Sequence, residues 1–456
     1  MDNATSMKFP VEIDSGLEDW QILQQDSKGV ATITLKGRWN TIIKRKKPEV
    51  SIRIVNEGTY SAISIDHDWH VAKKCVIDKS IKGEREGKEG IWSCKLQIPR
   101  GGPYRLDTSI GSKEDDPVWR RGGQNIHFFG VGDLFLITGQ SNCVGYGKSP
   151  IDDPSEIGVH HYGPNKKWEL ASHSLIHSPW IAFAKTLKKE LGYPIGLIPT
   201  AVGGSPIKDW VPSGHLFKNM KVLMQKACSN VKGILWYQGE SDVGRTLRHK
   251  YKEQFKKFSK GIRALTNQLD LPILTIQLNR LHGLESEPGG WDAIREYQRQ
   301  LSHEIKNVFV ISIFESILSD GIHNGSNGNI LIAQRASETI LGGVYHKKIY
   351  YKQPECSSVK KVSSKKIAFK FDNVALKLVY EVDLKNGFPI YIEDIKGQIL
   401  VTGYKMKNKN TLVVDLEREL EKNAKAIGAY GSFPAHVLPK DLNGYRSMLA
   451  FTIDIK

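Results

Sequence analysis

The chain has 456 residues, 40% hydrophobic and 25% charged, a globular make-up that excludes collagen-like and intrinsically disordered classes. Its length suggests roughly three domains at about 150 residues each. The formal net charge is +16, but Lys and Arg are spread along the whole chain with no basic arm and no zinc-finger, bZIP or RRM signature, so no nucleic-acid partner is expected and the diffuse charge fits an acidic glycan equally well.

Cys75, Cys94, Cys143, Cys228 and Cys356 are few, odd in number and widely spaced, which excludes a disulfide framework and a CxxC metal site. Cys75 and Cys94 could pair in an oxidising compartment. The opening Met1-Asp2-Asn3-Ala4-Thr5 lacks a basic stretch followed by an apolar run, so no signal peptide is visible. No apolar stretch is long enough to span a bilayer. The expectation is a cytoplasmic protein, or one exported or carried on a virion by another route.

Residues 1–129 read as short strands separated by glycine turns. Val30–Leu35 and Val50–Val55 alternate at a period of two, which predicts a β-sandwich-like domain. From 130 to 345 the pattern changes to strand followed by helix. Strand-length apolar runs fall at Leu134–Ile137, Ile195–Ile198, Gly233–Tyr237, Ile273–Ile276 and Val308–Ile311. Amphipathic helices are predicted between them at Trp180–Leu191, Tyr251–Leu265 and Trp291–Ile305. The fold class is therefore α/β: a three-layer core with a parallel sheet and helices on both faces. Residues 346–456 return to strands, as at Lys366–Phe371 and Thr411–Asp415, and predict a β-rich C-terminal domain.

In an open parallel sheet, ligands bind outside the carboxyl ends of the strands. The turns found there are Thr138-Gly139-Gln140-Ser141-Asn142, Thr200-Ala201-Val202-Gly203-Gly204-Ser205, Tyr237-Gln238-Gly239-Glu240-Ser241-Asp242 and Ser319-Asp320-Gly321-Ile322-His323. A serine, amides and an Asp-x-x-His therefore converge on one edge. Glycine lets the first turn bend sharply and puts Ser141 where a helix begins, where backbone N–H groups can stabilise an oxyanion.

This ordered set, with Gln277-Leu278 and Trp291–Gln298 behind it, resembles the sialate O-acetylesterase branch of the SGNH hydrolases. The resemblance implies a flavodoxin-like SGNH core and a serine esterase that removes acetyl groups from a carbohydrate. It implies Ser141 as nucleophile, His323 as general base and Asp320 as the carboxylate that orients the imidazole. The oxyanion hole would be the N–H of Ser141, the N–H of Gly204 and the side-chain amide of Gln238. Gln140 and Glu240 would support these from behind; Gln238 and Glu240 stand where the plain SGNH pattern has an asparagine. The implied partner is an acetylated glycan, possibly acidic. The implied cofactor set is empty: no metal and no organic group.

Other readings carry less. The alternative on the same fold is a non-catalytic glycan-binding or virion adhesion protein. His160, His161, His173 and His177 cluster in one loop region, but their spacing matches no metal template and no Cys accompanies them. Gly147-Lys148-Ser149 suggests a P-loop whose first glycine position is Asn142 instead. Trp168, Trp180, Trp210 and Trp236 could line a sugar site, although large aromatics are more often core.

Overall fold

The computed structural model describes residues 7–41, 47–59, 61, 69–72, 74–81, 87–112, 120–174, 176–228, 230–283, 287–381 and 383–456. In the N-terminal part, strands Val11–Ser15, Val30–Thr41, Gly87–Pro99 and Lys74–Ile81 make an antiparallel four-stranded sheet in that order. Pro48–Asn56 pairs with Gly101–Ser112 in a second layer. The alternating side chains meet between the layers, where Leu35, Trp39, Val50, Ile52, Trp92 and Ile110 are buried. The side chain of Cys75 lies outside the described residues.

One long strand, β1 (Ile126–Gly139), serves both this layer and the central sheet. Its first half pairs antiparallel with Gly101–Ser112. Its second half pairs parallel with β4 (Ile195–Pro199) and β5 (Gly233–Tyr237). It therefore runs across the expected boundary between 129 and 130. The remaining strands are β2 (Val159–Tyr162), β3 (Trp168–Leu170), β6 (Ile273–Ile276) and β7 (Val308–Ile311). The central order is β3-β2-β4-β1-β5-β6-β7, parallel except for the β2–β3 hairpin at the edge. The five predicted apolar runs are all strands of this sheet.

Helices cover both faces. They are α1 (Ser141–Val144), α2 (Pro179–Leu191), α3 (His215–Ala227), α4 (Arg245–Arg248), α5 (Tyr251–Leu265), α6 (Gly290–Glu304) and α7 (Ser326–Gly343). On one face Phe135 of β1 meets Phe183 of α2 edge to face, and α2 packs along α7. On the other, Trp236 of β5 packs on Phe255 and Phe258 of α5. Trp168, Trp180, Trp210 and Trp236 are all buried in this core, and Trp180 also lines a cavity together with Leu197 of β4. Among the described residues no helix is long and apolar enough to cross a membrane.

The sequence reading leaves out β2, β3, α3, α4 and α7, and three of these have a clear physical reason. The strand Val159-His160-His161-Tyr162 has no apolar run, so His160 and His161 sit in a strand and not in a loop. Helix α3 starts at Gly214 without a side-chain cap. Helix α7 is buried nearly all round, including Ser326, Asn329 and Arg335, so it has no clear polar face to give it a period.

The C-terminal part packs as antiparallel sheets around its own core, which includes Phe369, Leu412, Val414 and Phe451. It is tied to the central sheet by buried polar bonds. Gln277, just after β6, accepts from the Ala450 N–H and donates to the Ala450 carbonyl. Arg280 donates to the carbonyls of Pro434 and Ala435.

Candidate active site

The turn after β1 needs a glycine. Gly139 has φ +140°, and a Cβ there would stand 2.2 Å from the Tyr237 carbonyl oxygen. The chain then doubles back: Gln140 donates its N–H to Tyr237 O at 2.9 Å, and its carbonyl accepts from Cys143 and Val144. This leaves Ser141 at the first position of α1, half-buried. Among the described residues, the N–H groups of Ser141 and Gly204 meet no backbone acceptor. Gly203 flanks the serine: a Cβ on it would lie 3.8 Å from both Ser141 Cβ and the Tyr146 hydroxyl. Gly204 has φ +69° and open space around it. The neighbouring Cys143 is no rival nucleophile, since burial pushes its thiol up.

His323 comes from the loop after β7. Its Nδ1 lies 3.0 Å from Asp320 Oδ2 and 3.1 Å from Oδ1. Asp320 Oδ1 also accepts the N–H groups of Ile322 and His323, at 3.0 and 2.9 Å. Lys148 Nζ reaches Asp320 Oδ2 at 3.0 Å. Burial works to raise the Asp320 pKa, but the Ile322 N–H, the imidazole, the His323 N–H and Lys148 outweigh it and hold the carboxyl well below the usual range. Asp320 is therefore an anion at any working pH.

Asn142, next to the serine, locks the two turns together. Its Oδ1 accepts from the Asn324 N–H and from Asn324 Nδ2, both at 3.0 Å. Its Nδ2 donates to Ile322 O at 3.2 Å and to Glu240 Oε1 at 2.7 Å. So the residue after Ser141 is bonded to residues on both sides of His323 in the chain. Glu240 is buried; burial raises its pKa, against the opposing pull of Asn142, and its Oε2 has no partner among the described residues.

Gln140 and Gln238 face away from solvent. Gln140 Oε1 accepts from Gln238 Nε2 and from the N–H groups of Gly239 and Ser241, at 3.2–3.3 Å. Gln238 is fully buried, and its Nε2 also serves Ser205 O and Asp242 Oδ2. Three acceptors thus surround the two protons of the Gln238 amide, which links the turns of Gln140, Ser205 and Asp242.

Three residues with no expected role stand at this site. The Tyr146 ring stacks on the His323 imidazole with centroids 4.2 Å apart and planes 16° apart. Lys148, weighed only as a P-loop lysine, holds Asp320. Asn142 ties the nucleophile turn to the histidine loop. The available signal was the run Gly145-Tyr146-Gly147-Lys148 just after Ser141, an aromatic and a cation between glycines at a strand end.

The histidines separate. His160 bonds the Trp20 carbonyl, and His161 bonds Glu169. His173 Nε2 and His177 Nε2 share Asp153 Oδ2, at 2.7 and 3.2 Å. Their ligand atoms lie within 4.8 Å of one another, the spacing a cation would need. Lys185 Nζ, 2.9 Å from Asp153 Oδ1, already brings a positive charge to that carboxylate. The group reads as an ion-pair cluster.

Comparison with known proteins bears on the central segment and on the fold. Residues 131–342 match the model of the family described as carbohydrate esterase, sialic acid-specific acetylesterase. A "Probable carbohydrate esterase" of Arabidopsis thaliana is 26% identical over 243 residues, 46% of this chain and 90% of that protein. The crystal structure of a carbohydrate acetylesterase from Xanthomonas citri superposes with a TM-score of 0.68 at 18% identity, covering 96% of this chain and 98% of that one, which shows a shared fold. Residues 131–342 thus match the sialic acid-specific acetylesterase family of carbohydrate esterases, and the chain shares the fold of the Xanthomonas citri carbohydrate acetylesterase.

Proposed function

We propose that the protein hydrolyses O-acetyl esters on a carbohydrate through an acetyl-Ser141 intermediate. The observation that carries this reading is the Asp320–His323 pair bonded through Nδ1, with its loop fastened by Asn142 to the turn of Ser141. Bonding at Nδ1 fixes the tautomer that leaves Nε2 as the proton acceptor. His323 takes the proton of Ser141 Oγ as that oxygen attacks the acetyl carbonyl. The ester C–O bond then breaks, and His323 gives the proton to the departing sugar oxygen. Water, deprotonated by the same imidazole, releases acetate and restores Ser141.

In this reading the oxyanion is held by the backbone N–H groups of Ser141 and Gly204. Gln238 and Gln140 brace the turns that aim those groups, and Glu240 holds Asn142. The substrate is an acetylated sialic acid, a related nonulosonic acid or an acetylated polysaccharide. An acidic sugar is favoured by the formal charge of +16.

The test is mass spectrometry of acetate released from a panel of acetylated glycans, with fluorophosphonate labelling of the protein. The expected result is acetate release from at least one acidic sugar and a label on Ser141. No release from any sugar, or a label elsewhere, would overturn the proposal.

A further inference from the structure

A cavity of about 430 Å³ is lined by Cys143 and Val144 of the nucleophile's helix, though not by Ser141 itself, and deacetylation has no use for its size. Its walls are mainly apolar: Ile137 of β1, Val144 of α1, Ile181 of α2, Leu197 of β4, Leu223 of α3, and Ala201. Such a volume is that of a pocket for an organic ligand, and one methyl group would leave it nearly empty.

Two of these walls belong to the catalytic turns. Val144 is three residues after Ser141 on α1, which puts the two side chains on one face of the turn. Ala201 lies two residues before Gly203, whose Cβ position is 3.8 Å from Ser141 Cβ. The sheet order then gives direction. His323 arrives from the loop after β7, and its neighbours Asn324 and Ile322 bond to Tyr237 of β5 and to Asn142. The cavity lies on the other side of β1, over β4 and β2, where His161 and Tyr162 of β2 also line it.

An ester lying across Ser141 must place its leaving oxygen near His323, because His323 protonates it. The other substituent of the carbonyl carbon, the acyl chain, then points away from His323 and toward β4. We infer that this cavity is an acyl pocket, which receives the hydrocarbon chain of esters with acyl groups longer than acetyl, of about four to six carbons. The inference rests on the roles proposed above for Ser141 and His323. The bond chemistry is unchanged: the acyl C–O bond breaks, the alcohol leaves with the proton from His323, and the chain stays on Ser141 Oγ until water removes it.

The experiment is a series of p-nitrophenyl acetate, butyrate and hexanoate on wild type and on Leu223→Trp and Ala201→Leu, which fill the cavity from two different elements. Each methylene buried in an apolar site is worth about fourfold, so wild-type kcat/KM should rise along the series. Both variants should lower the hexanoate-to-acetate ratio by at least about tenfold, the loss of roughly two such methylenes. A wild-type ratio below one, or a ratio that neither variant moves, would overturn the pocket. Failure of the catalytic reading looks different: Ser141→Ala would then retain activity on every ester of the series.

Discussion

The phenol ring of Tyr146 lies flat against the imidazole of His323, centroids 4.2 Å apart and planes 16° apart. The face of an aromatic ring is electron-rich and attracts a cation. The stack therefore favours the imidazolium that forms once His323 has taken the serine proton, and it fixes the ring plane set by Asp320. Tyr146→Ala should lower kcat/KM on an aryl acetate by about three- to tenfold, the value of one such stack. Tyr146→Phe keeps the ring and should stay near wild type. Equal losses in the two variants would shift the role from the ring face to the hydroxyl.

Removal of the proposed nucleophile or its orienting carboxylate should be severe. Ser141→Ala should reduce kcat by at least about 10⁴-fold with the melting temperature kept. Asp320→Asn should cost up to about 10⁴-fold, since the imidazole loses the anion that fixes its tautomer. Asp320 is held ionised far below the usual range, so its own protonation should not appear in the pH–rate profile down to about pH 4. Wild-type activity with Asp320→Asn would exclude it as the orienting group.

Gln238 separates two roles by their readouts. Its amide serves Gln140, Ser205 and Asp242 in a buried network. Gln238→Leu leaves these acceptors short of a donor, so stability should fall by about 1–3 kcal/mol in denaturant titration. A donor acting only on the oxyanion would instead cost about 10²- to 10³-fold in kcat with stability unchanged. That second outcome would return Gln238 to the oxyanion hole.

Glu240 gives a pH dependence of stability. Burial raises its folded pKa above the unfolded value of about 4.3. At low pH both states hold the proton and the site costs nothing. As pH rises past the unfolded value, the unfolded chain ionises first, and the folded state loses stability until the folded carboxyl ionises too. Glu240→Gln removes this loss and still accepts from Asn142. The gain in melting temperature over wild type should therefore be larger at pH 8 than at pH 4. A gain independent of pH would mean that Glu240 ionises alike in both states.

Charge should show in kinetics. Activity on an acidic acetylated sugar should fall as salt rises, because screening weakens long-range attraction to a basic protein. Activity on a neutral aryl acetate should stay level. Parallel salt curves for the two substrates would remove the electrostatic argument for an acidic glycan.

The sequence by itself determined what local pattern can encode. Apolar runs of strand length located five strands of the central sheet, because a strand buried on both faces must be apolar throughout. Glycine before Ser141, and Asp320 three residues before His323, marked the two turns that carry the proposed chemistry, because sharp bends and paired side chains have short-range signatures. Helix α7 was illegible because burial nearly all round removes its period, and β2 because its two histidines interrupt the apolar run of a strand paired on both sides. The remaining decisions belonged to contacts between distant segments. Asn142 meets Asn324 across 182 positions, and Gln140 meets Gln238 across 98. Whether Gln238 offers its amide to a substrate or spends it on Asp242, and whether Tyr146 stacks on His323, depends on which strand ends the sheet order brings side by side. That order is set by packing of the whole core, and no spacing in the chain records it.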